Sequence, residues 1–242
     1  MKIARSLAAL RRLPRRLHRD RSGVAMLEFA FATPLVLGIG CYGIETANLA
    51  LVNLRISQIA LALADNASRV GTYSTLSTQQ LREVDVNDVF AAAKYQGAGI
   101  NLTTNGRIIL SSLENVQQSY DTAAVQRIHW QRCLGTKNGT GYDSTYGTTT
   151  TTAGTTSTST NAGTTAASGM GDAGSMVTAP GGSGVMFVEV NYLTKPLFGT
   201  WLTSPARIHY VASFIVRDRR DFSMIYNPSP TATRMTCNLY TS

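Results

Sequence analysis

Apolar residues fall into three regimes along the chain. Residues 24–44, VAMLEFAFATPLVLGIGCYGI, are almost wholly apolar. At 1.5 Å per residue, a helix of that length covers about 31 Å, the thickness of a bilayer core. The pattern then becomes one-sided. Leu49, Val52, Ile56, Ile59, Leu63, Asn66 and Val70 recur at alternating spacings of three and four, while Arg55, Gln58, Asp65 and Arg69 are polar. Such spacing lines up one face of a helix. Asp65 and Arg69 stand in a supportive i,i+4 order, and Gly71 is a natural stop. One helix is therefore expected over residues 24–70, apolar all round below and amphipathic above.

Past Gly71 the periods shorten. Asp85 and Asp88 resemble a capping pair for a helix through Val89–Tyr95 to Gly97. Asn105-Gly106, set between Ile100-Asn101-Leu102 and Ile108-Ile109-Leu110, is a strong hairpin signal. Residues 125–133, 185–193 and 208–216 read as strands. In the last, Ile208, Tyr210, Ala212, Phe214 and Val216 alternate with other residues. The expected fold is α+β: a long N-terminal helix packed on a small antiparallel sheet in a head over residues 71–242. A Thr/Gly/Ser/Ala-rich insert at about 135–184 shows no apolar period. It is expected to be an exposed, flexible loop, because so little apolar surface cannot offset the ordering entropy.

Composition changes this picture mainly through charge. A hydrophobic content of 43% and a mean hydropathy near zero exclude a fully disordered chain and a polytopic membrane protein. The net charge of +8 at first suggests nucleic-acid binding. Lys2, Arg5, Arg11, Arg12, Arg15, Arg16, Arg19 and Arg21, against Asp20 alone, supply seven of those charges; the rest of the chain is nearly balanced. Basic charge directly before an apolar span is a topology signal. It predicts a single-pass membrane protein with its N-terminus in the cytoplasm and the chain beyond exported, a lipid bilayer as partner and no nucleic acid.

Three kinds of segment share that layout: a Sec signal peptide, a plain signal anchor, and a prepilin-type segment cut on the cytoplasmic side. The A-x-A-like Ala62-Leu63-Ala64 lies too far beyond the apolar run for normal signal cleavage. Glu28 separates the remaining two. A carboxylate inside an apolar span costs a few kcal/mol and requires a partner. A plain anchor has no use for it. If the chain is cut after Gly23, Val24 becomes a free amino terminus, and Glu28 of one subunit can neutralise that ammonium on a neighbour.

The residues around Glu28 carry a resemblance. Arg21-Ser22-Gly23-Val24-Ala25-Met26-Leu27-Glu28-Phe29-Ala30 is similar to the processing motif of type IV pilin-like proteins. The run GVAMLEFAFATPLVLGIGCYGIE resembles TadE-like minor pseudopilins of tight adherence (Tad) pili, with Gly23, Glu28, Phe29, Pro34 and Glu45 in the family's places. The resemblance covers roughly residues 21–70. It implies a basic leader, residues 1–23, removed by a prepilin peptidase between Gly23 and Val24. It also implies an assembly or processing role for Glu28, and partners among other pilin or pseudopilin subunits and an inner-membrane assembly platform. The implied fold is pilin-like, and the implied location is the inner membrane with the head in the periplasm, from which a subunit can pass into an extracellular pilus. The alternative is a membrane-anchored periplasmic or surface adhesin, or binding module, that keeps its signal anchor.

Chemistry elsewhere is sparse. There is no G-x-S-x-G, H-E-x-x-H, P-loop or strand-linked G-x-G-x-x-G, so no enzyme and no cofactor are expected. Cys133 and Cys237, once exported to an oxidising compartment, are expected to form a disulfide. A zinc site from His129, Cys133, His209 and Cys237 is the rival, but its spacing fits no compact metal motif. His129 and His209 read as surface or partly buried residues, Cys41 as a small hydrophobe on the membrane helix, and Arg217–Asp221 as a solvated charged turn.

Overall fold

The computed structural model describes residues 22–73 and 78–242. Helix α1 spans Ser22–Arg69 without a break at Pro34. The expected basic leader lies outside the described residues apart from Ser22 and Gly23, which open α1. The chain divides into two compact units. One is α1 up to Asn48 with Leu197–Thr203; the other is Leu49–Pro196 with Ser204–Ser242.

In the second unit, the upper part of α1 packs on a five-stranded antiparallel sheet. Its strands are β3 (Gly106–Val116), β4 (Val125–Leu134), β5 (Thr164–Thr165), β6 (Ser183–Leu193) and β7 (Arg207–Ile215), in the order β5-β4-β3-β6-β7. The buried face of α1 is Ile56, Ile59, Ala60, Leu63, Ala64 and Ala67, with Leu49, Val52 and Val70 at its margin. Asn66, placed on that face by spacing alone, is exposed. Burying Ile56, Ile59 and Leu63 contributes about 1.5–3 kcal/mol each. The three alanines keep the helix thin where it meets the sheet residues Ile108, Leu110, Met186, Val188 and Val190.

Helix α2 (Glu83–Gln96) adds Val86, Val89, Phe90 and Ala93 to the same core. It begins two residues before Asp85. Asp85 is the third helical residue, and its carboxylate accepts the backbone N–H of Arg82 at 2.9 Å. A smaller sheet joins β1 (Thr72–Tyr73), β2 (Gln79–Arg82) and β8 (Arg220–Tyr226), with β1–β2 antiparallel and β2–β8 parallel. Gly71, at φ +153°, turns the chain out of α1; a Cβ there would lie 2.7 Å from Gln79 Cγ.

Two expectations are overturned. Asn105-Gly106 is no hairpin. Asn101 takes a left-handed conformation (φ 51°, ψ 48°), Leu102–Asn105 forms a short helix α3, and Gly106 starts β3 in extended backbone. Strand β3 pairs with β4 and β6 along its length, so residues 100–102 are not its partner. The insert over 135–184 is also laid down rather than free. The sheet's second face carries Leu113, Ile128, Val185 and Phe187, and the insert covers them with Met170, Val177, Ala179 and Tyr146. Gly163 (φ +81°) lets its backbone approach β4 so closely that a Cβ would sit 2.1 Å from the Ile128 oxygen. An apolar second face supplies the driving force that the insert's own composition lacks.

Candidate functional site

The stem of α1, residues 24–44, is the first candidate. Met26, Phe29, Phe31, Leu35, Leu37 and Ile39 point in all directions, and each is more than half exposed. The helix is long and apolar enough to cross a membrane. Glu28 is the one acid between residues 24 and 44, five residues past Gly23. Gly23 and Val24 are both exposed at the start of the helix. Just above, Thr33 Oγ1 donates to the Phe29 carbonyl at 2.6 Å, one turn before Pro34.

Glu45 closes the apolar stretch differently. It is only 6% exposed, and its Oε2 accepts the backbone N–H groups of Leu197 (2.9 Å) and Phe198 (3.3 Å). The second acid of the motif therefore holds a loop from far along the chain.

In the head, Cys133 and Cys237 are joined in a disulfide with a Cα–Cα distance of 4.8 Å. That disposes of the zinc alternative, since both thiols are consumed. His129 Nδ1 lies 2.8 Å from Glu114 Oε2, and His209 Nδ1 lies 2.6 Å from Asn191 Oδ1. No cluster of metal-ligating side chains occurs among the described residues. His129 is fully buried rather than superficial, because a β-bulge opposite Ser112 and Leu113 makes it the extra residue of β4.

Several buried charged groups lie where the sequence reading placed none. Arg107 is 1% exposed and donates to the carbonyls of Gly135 (3.1 Å) and Cys237, with Tyr240 stacked on its guanidinium at 4.6 Å. Burial lowers its pKa. Arg132 makes a two-pronged pair with Glu83 at 2.9 and 2.5 Å. Glu189, in the middle of β6, accepts the Ser144 hydroxyl at 2.5 Å, and burial raises its pKa to about 7. Beside it, Tyr146 donates to Asp172 at 2.7 Å and lies 3.0 Å from His209 Nε2. Burial, then Asp172, raises the Tyr146 pKa to about 12.

Between the sheet and the insert lies a cavity of about 300 Å³, lined by Arg107, Gln131, Asp143, Thr148–Thr151, Tyr240 and the disulfide. Its chemistry is hydroxyls, one aromatic ring and one buried cation, Arg107, whose Nε lies 3.4 Å from the Asp143 carboxylate. The charged turn is corrected in part: Arg217, Asp218 and Arg219 are exposed, but Arg220 is buried and Asp221 accepts the Tyr226 hydroxyl at 2.5 Å. Comparison with protein-family models, curated proteins and solved structures finds no match for this chain.

Proposed function

We propose that this chain is a minor pseudopilin-like component of Tad/Flp-type pilus assembly, held in the inner membrane with its head in the periplasm. A prepilin peptidase removes the leader between Gly23 and Val24. The freed helix then packs laterally against other pilin or pseudopilin subunits, or against the assembly platform. The observation that carries this reading is Glu28: a lone carboxylate on an otherwise apolar stem, five residues past the Gly23 cleavage position. Its cost is relieved when it meets the ammonium of a neighbour's Val24. The continuous helix supports the reading as well, with a bare stem below and a head-packed face above.

The test is co-expression with and without a prepilin peptidase. Leader removal in the wild type, together with loss of processing or of subunit co-purification in Glu28→Ala, is expected. A chain of unchanged mass in peptidase-producing cells overturns the reading.

The polar cavity favours one second reading, a membrane-anchored adhesin or binding module with an uncleaved anchor. That reading predicts that Thr148→Val with Thr150→Val weakens surface binding while pilus assembly is unaffected.

A further inference from the structure

The loop pinned by Glu45 has a composition that its own chain does not use. Its sequence around the turn is Leu197-Phe198-Gly199-Thr200-Trp201-Leu202, with Leu202 N–H returning to the Gly199 oxygen. Trp201 is 75% exposed and Leu197 59%, so one short loop shows two large apolar side chains to its surroundings. The loop belongs to the same compact unit as the stem helix. Its attachment point is specific: the amides of Leu197 and Phe198 both bond to Glu45, the residue directly after the apolar stretch 24–44. Tyr42, one turn below Glu45, is also more than half exposed.

We propose that the Leu197–Leu202 loop is a lipid-contacting element that seats Trp201 and Leu197 in the outer membrane–water interface. The inference rests on the membrane-span reading of the stem and adds a second contact with the bilayer. A span of about 31 Å ends where the hydrocarbon ends, so a loop tied to the residue that closes the span sits at the headgroup boundary. Trp and Tyr are the residues that favour that boundary, because their rings are apolar and their N–H or O–H remains hydrated. The Glu45 carboxylate is kept from the lipid by the two amides it accepts. Trp201 thus fixes the depth of the stem and limits its sliding along the membrane normal.

The chain has two tryptophans, and only one is at the surface: Trp130 is 2% exposed. The full chain is reconstituted in phosphatidylcholine vesicles whose acyl chains are brominated either near the carbonyl end or near the methyl end. The difference between wild type and Trp201→Phe isolates the Trp201 emission. Leu37→Trp in the Trp201→Phe background reports the span itself. The expected result is Trp201 emission quenched about twofold more by the shallow than by the deep bromines and shielded from aqueous iodide, with Leu37→Trp showing the reverse depth preference. If Leu37→Trp is quenched by lipid while Trp201 responds only to iodide, the helix spans and the loop proposal is overturned. Trp201 shielded from both bromine and iodide also overturns it, in favour of a protein partner. If Leu37→Trp escapes lipid quenching, the span fails and the loop proposal falls with it.

Discussion

The Arg220 guanidinium reaches the end of the long helix and donates to the Val70 carbonyl at 2.8 Å, and to that of Ala67 at 3.1 Å. A helix ends in carbonyls that lack intrahelical partners, and its negative dipole end favours a cation. Arg220 supplies both, and in doing so ties β8 to α1. Burial lowers its pKa to about 10, which leaves it charged at neutral pH. Arg220→Met is expected to cost about 2–4 kcal/mol of head stability by orphaning those carbonyls. The check is the urea midpoint of the full chain in detergent micelles, followed by Trp130 fluorescence in a Trp201→Phe background; an unchanged midpoint contradicts the capping role.

Glu189 makes stability depend on pH. Its pKa is raised by burial from 4.5 to about 7, so between those values the folded head holds a proton that the unfolded chain releases. The contribution is complete below pH 4.5 and is lost as pH rises through 7. The loss is on the order of 3 kcal/mol. Glu189→Gln, which keeps the shape and the Ser144 partner, is expected to be more stable than wild type at pH 8 and equal to it at pH 4. Parallel stability curves for the two proteins across that range contradict this.

The Cys133–Cys237 bridge joins residues 104 positions apart in sequence. In the chain-entropy model its removal costs about 4–5 kcal/mol. The tail has other holds on β4, since Cys133 N–H donates to the Met235 oxygen at 2.7 Å and Gly135 N–H to the Thr241 oxygen at 2.8 Å. Cys133→Ser with Cys237→Ser is therefore expected to fold with a lower thermal midpoint and to keep its tail protected from carboxypeptidase at low temperature. A freely digested tail contradicts the second part.

Glu28→Ala removes the one acid between residues 24 and 44. Head stability is expected to equal that of wild type, while processing or assembly is lost. Glu28→Asp, which keeps the charge on a shorter arm, is expected to recover part of that function. Equal loss of head stability in Glu28→Ala contradicts a role confined to the stem.

Legibility followed periodicity. The long helix, β4, β6 and β7 were readable because each buries one face or both against a continuous core, which imposes a period of 3.6 or 2. The hairpin signal at Asn105-Gly106 misled because a local dipeptide preference yields to long pairings on both sides of β3. The insert misled because its order comes from the surface beneath it: Val185 and Phe187 call for cover that Met170 and Val177 provide through turns without a period. Glu189 did leave a signal, a carboxylate within the apolar run Val185–Val190, which marks a strand buried on both faces. Arg107, Arg132 and Arg220 left little, since their partners are backbone carbonyls or a glutamate 49 residues away.

The central claim is that the working protein begins at Val24, with Glu28 placed to meet another subunit's terminus. Its most direct test is the N-terminal sequence of the protein purified from membranes of cells that make a prepilin peptidase. The account predicts Val24-Ala25-Met26-Leu27-Glu28 as the first residues; a chain that retains residues 1–22 contradicts it.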